Sequence, residues 1–192
     1  MLVEYLNKRG IRAGRVRLRF PRLFSVPFLV YARLRGFSRR MRVDGVEHGI
    51  WNFEGSWLMK VVFPWAILVD LWLLSIIKVY IPILSGSTLV CDRYVLDVLV
   101  DLMTGLKDTG FDQNIPGRLF FSILPDRSKI IVLDLDSSIA KERSPELRGD
   151  QSQDLRREIY LKISQRRSYP VISTDAPIQT IQNDVRRELS LF

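Results

Sequence analysis

Hydrophobic and polar positions change their period several times along this chain. Gly14 to Phe20 alternates strictly, with Val16, Leu18 and Phe20 set against Arg15, Arg17 and Arg19. A period of two predicts a strand with one face in a core. Pro21 ends it, because proline cannot continue a central strand. Ahead of it, Leu2, Val3, Tyr5 and Leu6 fall on one face of a helix over residues 1–9 that stops at Gly10. Val26 to Gly36 reads as a short helix with Pro27 near its start. Residues 36–55 hold four glycines without a clear period and read as a loop. From Glu54 to Ile81 the chain is almost continuously apolar, which predicts a long helix broken at Ser85-Gly86.

Two short apolar runs follow, Thr88 to Cys91 and Lys129 to Leu135, and both read as buried strands. Helices are expected over residues 93–106, from Ser137 with Asp136 or Ser137 as N-cap, over 154–167, and over 177–191. Residues 108–117 and the polar stretch 143–153, with Pro145 and Gly149, read as loops; Tyr169 to Ser173 reads as a strand. Short apolar strands alternating with helices predict an α/β fold with a parallel sheet, as one domain over residues 1–192. Sites in such sheets form at the carboxyl ends of the strands. Asp92-Arg93-Tyr94 stands at such an end, an acid beside an arginine between two apolar segments.

Charge sharpens this picture. The net charge is +8, and residues 1–42 hold twelve Lys/Arg against one acid, Glu4. Such a segment calls for an anionic partner: phosphate groups, nucleic acid or a membrane surface. The apolar fraction of 47% excludes a disordered chain. Cys91 is the only cysteine and reads as buried and inert; an intramolecular disulfide is excluded, in keeping with a reducing, cytoplasmic setting. No cleavable signal peptide is visible at the start. His48 is the only histidine, which disfavours metal chemistry through histidines and leaves it a loop role.

Four segments together resemble the thymidylate kinase family of P-loop nucleoside monophosphate kinases. They are "RFPR" at Arg19 to Arg22, "CDRY" at Cys91 to Tyr94, "IIVLDLDSSIAKERS" at Ile130 to Ser144, and "YPVISTDAPIQTIQNDVRREL" at Tyr169 to Leu189. The resemblance implies a three-layer parallel sheet with helices on both faces and phosphoryl transfer from ATP with Mg²⁺ to a (deoxy)nucleoside monophosphate such as dTMP. It implies an acceptor site at Arg19, Arg22, Arg93, Tyr94, Asp97 and Asp101. Arg93 would clamp the phosphate, with Asp92 holding a Mg²⁺-bound water or orienting Arg93. Arg143 and Arg148 would act as lid arginines on the loop 143–153, and Asp175 and Ala176 would lie by the adenine. Nucleotides rather than nucleic acid are then the expected partners.

The chain departs from that family in two places. No Gly-x-x-x-x-Gly-Lys-Ser/Thr segment occurs in residues 1–192. Met1 falls inside what resembles the family's first helix, so the first, central strand and its phosphate loop are expected to be missing through a misplaced start or a truncation, leaving the chain inactive as given. Where the family carries a stacking Phe and an Arg ahead of the Asp-Arg-Tyr strand, this chain has Ile67 and Leu71; near the base it has Asp97, Val98, Asp101 and Leu102. Thymidylate itself is therefore not the expected acceptor.

The run Val61 to Leu84 adds alternatives. Its core, Val61 to Ile77, is just long enough to span a bilayer, and Asp70 near its middle would cost about 2.5–3.5 kcal/mol there, which the surrounding Leu, Ile, Val and Phe could offset. Trp65 and Trp72 share a face that reads first as core. It reads alternatively as an apolar wall for a greasy or lipid-linked phosphate acceptor, a membrane contact, or a homodimer contact. A non-catalytic scaffold or binding protein is the reading from a different class, prompted by the missing phosphate loop.

Overall fold

Helices and short strands alternate in a computed structural model of the chain, which describes residues 2–18, 23–43, 46–143, 150 and 152–190. The chain gathers into two compact units, residues 1–38 with 51–126, and residues 39–50 with 127–192.

The first unit opens with α1 (Leu2–Lys8), β1 (Ala13–Val16) and α2 (Val26–Leu34). Next in the chain, and counted with the second unit except for Ser38 and Trp51, β2 (Ser38–Val43) and β3 (Val46–Trp51) form their own two-stranded sheet, where a loop was expected. Glycines mask the strand period there, yet the intervening Asp44-Gly45 is a strong hairpin signal. One helical run then follows: α3 (Trp57–Val61), α4 (Phe63–Ser75), a π-helical turn (Ile76–Tyr80) and α5 (Ile81–Leu84). After it come β4 (Thr88–Cys91), α6 (Val95–Leu106), a 3₁₀ turn (Phe111–Gln113) and α7 (Ile115–Phe121). The helix α7 lies partly where a loop was expected; Pro116 at its first turn was its signal.

The core of this unit is built around α6, whose Val95, Val98, Leu99, Val100, Leu102 and Met103 are all buried. Phe63, Ile67 and Leu71 of α4 and Phe120 of α7 complete it. Each such side chain contributes about 1.5–3 kcal/mol by leaving water. Phe53 lies edge-on to Phe63 at 5.4 Å and stacks on Trp51 at 5.5 Å. Its backbone N–H donates to the Gly105 carbonyl at 2.8 Å, fixing the chain against α6.

Asp70 is the one acid in the long apolar run, and it is fully buried. Its carboxylate accepts the backbone N–H groups of Leu23, Phe24 and Ser25 at 2.8, 2.6 and 3.0 Å. These donors belong to the turn that leads into α2 and to its N-cap, Ser25, so the charge is held by backbone N–H groups rather than exposed to an apolar medium.

The second unit contains β5 (Val132–Asp134), α8 (Ser137–Arg143), α9 (Gln153–Arg167), β6 (Val171–Ser173) and α10 (Ile178–Glu188). Its small core includes Val132, Ala140, Ile159, Ile163 and Ile181.

An α/β architecture with short parallel sheets and helices is thus present. Among the described residues the sheets are three separate pairs, β1–β4, β2–β3 and β5–β6, rather than one sheet. β1 runs parallel to β4 with Arg15 opposite Val90, and β5 runs parallel to β6 with Leu133 opposite Ile172. With one neighbour each, these strands are less covered than their composition predicts. Leu133 is 55% exposed, and Cys91, expected to be buried, is exposed.

Candidate functional site

The parallel register of β1 and β4 continues just past both strands. The Asp92 N–H donates to the Val16 carbonyl at 2.8 Å, and the Leu18 N–H donates to the Arg93 carbonyl at 3.0 Å. The chain then turns sharply at Arg93, whose φ is 68°. A non-glycine residue in this left-handed region costs about 1–2 kcal/mol, a strain that collects at functional positions. The helix α6 begins two residues later. Its start is secured by the Tyr94 N–H donating to the Asp97 carboxylate at 3.1 Å.

This turn sends Arg93 and Tyr94 to different places. Tyr94 is buried, and its hydroxyl donates to the Ile123 carbonyl at 3.3 Å. Burial pushes that hydroxyl up to about 12. Arg93 is half-buried, and its guanidinium has no hydrogen-bond or ion-pair partner among the described residues. Asp92 does not hold Arg93. Its carboxylate accepts from Arg15 of β1, with Arg17 3.9 Å away. The Arg15 hydrogen bond draws the Asp92 carboxyl below the usual carboxylate range. The end of the β1–β4 pair therefore presents Arg15, Arg17 and Arg93 around a single ionised acid.

Of the other residues expected near an acceptor, Asp97 caps α6, and Asp101 stands one turn further along the same helix, half-buried like Asp97. Ile67 and Leu71, in the family's base-recognition places, are fully buried core residues. Arg19, Arg22 and Arg148 lie outside the described residues.

In the second unit, Arg143 and Asp175 are brought together. The Arg143 guanidinium donates to the Asp175 carboxylate at 2.8 Å and to the Thr174 carbonyl at 3.1 Å. Ala176 follows directly in the chain. Beside β5, Arg157 of α9 grips Asp134 with two hydrogen bonds of 2.8 and 3.0 Å and reaches Asp136 at 2.7 Å. These carboxylates raise the Arg157 guanidinium further above its ordinary value. Donation from Ser138 is the main reason that the Asp136 carboxyl is lowered.

Sequence reasoning did not assign Arg15, Arg17, Arg157 or Asp134. The alternation of Gly14 to Phe20 had already put Arg15 and Arg17 on one face; only the pairing with β4 was lacking. The Asp134–Arg157 pair spans two elements with no local spacing to mark it. Among the described residues no three His, Cys, Asp or Glu side chains cluster tightly enough to hold a metal. Asp92 fits Mg²⁺ only as a single ionised carboxylate supplementing phosphate oxygens and water. The chain matches no protein-family profile and no curated protein.

Proposed function

We propose that this chain binds the phosphate of a nucleoside monophosphate at the end of the β1–β4 pair, as the acceptor half of a thymidylate kinase-like phosphotransferase. The observation that carries this reading is Arg93. A half-buried guanidinium with no hydrogen-bond or ion-pair partner among the described residues, held in a strained backbone conformation and sharing the field of Asp92 with Arg15 and Arg17, suits a dianion. Arg93 takes the phosphate as a bidentate clamp, and Arg15, with Arg17 near it, leaves Asp92 as phosphate enters. ATP with Mg²⁺ would be the donor, with Asp92 as the one carboxylate here that could hold the metal beside phosphate oxygens and water, and the metal would supply neutralisation of phosphate charge.

Two substitutions separate binding from folding. Arg93→Ala should weaken the best monophosphate by roughly 2–5 kcal/mol, the scale for truncating one partner of a close charge pair. Arg93→Gly should weaken it as much while stabilising the fold by about 1 kcal/mol, since glycine adopts this φ without strain. Calorimetry against a panel of monophosphates, with chemical denaturation alongside, reads both effects. Unchanged affinity in either variant would remove Arg93 from the site.

The acceptor could instead carry its phosphate on an apolar or lipid-linked body. The exposed side chains of the Trp57–Leu84 run favour this second reading. Tighter binding of a polyprenyl phosphate than of any nucleotide in the same panel would select it.

A further inference from the structure

The helical run Trp57–Leu84 has more apolar surface than the protein covers. It is 28 residues long, apolar enough to cross a bilayer, and only 33% of its most apolar stretch is buried. A helix that is apolar all round normally has both faces covered. Here one face is in the core, through Met59, Phe63, Ile67 and Leu71. The opposite face is open to solvent, through Trp57, Val61, Trp65, Val69, Trp72 and Leu84. Trp57, Trp65 and Trp72 alone are 71%, 41% and 54% exposed.

The spacing keeps these side chains on one side. Trp57, Val61, Trp65 and Val69 recur every fourth residue, and Trp72 follows within the same face. Leu84 comes twelve residues after Trp72, which is about 120° out of phase in an unbroken α-helix. The π turn Ile76–Tyr80 absorbs one extra residue and brings Leu84 back to within about 20°. The outward stripe thus persists along roughly 42 Å of helix. A shallow groove of about 230 Å³ lies beside it, between Trp72 and Leu119.

We infer that this face lies on an anionic membrane surface, with the helix in the plane of the interface. A transmembrane course does not fit, because the other face and Asp70 are engaged in the core of the same unit. Charge selects the occupant. The exposed charged residues of the run are Lys60 and Lys78, both positive, and its one acid is buried. Two copies brought together along this run would add like charge to like, whereas anionic headgroups would attract it. The net charge of +8 acts in the same direction. Tryptophans exposed on an apolar helix face are the side chains that settle at the headgroup boundary. This inference does not rest on the phosphate site, and either can fail alone.

The test uses the full chain and vesicles of phosphatidylcholine, with and without a minority of phosphatidylglycerol. Flotation should carry the protein with the anionic vesicles, and less so at high salt. Lipids brominated along the acyl chain should quench its tryptophan fluorescence. The double variant Trp65→Glu, Trp72→Glu changes exposed positions, so it should keep the wild-type melting curve. It should lose vesicle affinity by at least about tenfold. Absence of flotation with anionic vesicles would overturn the inference. So would flotation without quenching, or a dimer by light scattering that both excludes vesicle binding and is abolished by the double variant. The last result would assign the face to a second copy.

Discussion

Single side chains decide how this molecule treats its charges. Asp70 stands in the middle of an apolar helix, yet its carboxylate takes three backbone N–H groups at the start of α2. Asp70→Ala should destabilise the fold by about 2–4 kcal/mol, because part-buried donors lose their acceptor. Asp70→Asn, which keeps one acceptor oxygen, should cost less; urea denaturation of the two variants orders them. Equal costs would mean that the oxygen kept by asparagine contributes nothing and that the whole effect rests on the charge and the second oxygen. Tyr94 poses the converse case, a buried hydroxyl that resists ionising, raised from its ordinary value near 10 to about 12. The unfolded chain releases that proton first as pH rises. The stability it contributes is therefore complete below about pH 10 and is lost toward pH 12. Tyr94→Phe should flatten this part of the stability–pH curve. At neutral pH it should cost only about 1 kcal/mol, the worth of one hydrogen bond. A wild-type slope retained between pH 10 and 12 would assign the alkaline loss to other groups.

Elements were legible in proportion to how strongly their period or their end signals spoke. The long helical run, α6, α9 and the strands of β1, β4, β5 and β6 follow directly from runs of one period. The β2–β3 pair did not, because glycines and arginines hide its alternation and only Asp44-Gly45 marks it. The burial of β4 and β5 was overestimated for a physical reason. Their composition suits strands covered on both sides, but each has a single strand neighbour. The acid–arginine turn was legible as a site from its position alone, whereas the partner of Asp92 was not, since it needed the register of β1 on β4. Close packing at the junction of the 3₁₀ turn and α7 was also invisible in sequence. A β-carbon at Gly117 would lie 2.0 Å from the Phe111 carbonyl oxygen and 2.8 Å from the Asp112 α-carbon. Both neighbours are backbone and cannot step aside. Gly117→Ala should therefore cost about 1–3 kcal/mol or more by overpacking. A melting temperature like that of wild type would show that the turn shifts freely.

At the scale of the whole molecule, what the chain can and cannot hold sets its chemistry. Its basic segment and the arginines at the β1–β4 end attract phosphate. A triphosphate needs more: a loop of backbone N–H groups at a helix start, a lysine on the outer phosphates, and a hydroxyl on Mg²⁺. No Gly-x-x-x-x-Gly-Lys-Ser/Thr segment is present in residues 1–192 to provide them. Arg143, expected from the resemblance to act on a lid, is engaged with Thr174 and Asp175 and is no substitute for such a loop. The two activities should therefore separate in this chain. It should bind a monophosphate through Arg93, with an affinity that falls as salt is raised because the site's arginines are partly exposed. It should release no ADP from ATP and Mg²⁺ above background, whichever monophosphate is offered. Both are measured on one preparation, by calorimetry at two salt concentrations and by a coupled ADP assay. ADP release abolished by Arg93→Ala would keep the acceptor site and mean that the triphosphate is held by residues other than a phosphate loop. Release untouched by Arg93→Ala would mean that the β1–β4 end is not where the phosphoryl group lands.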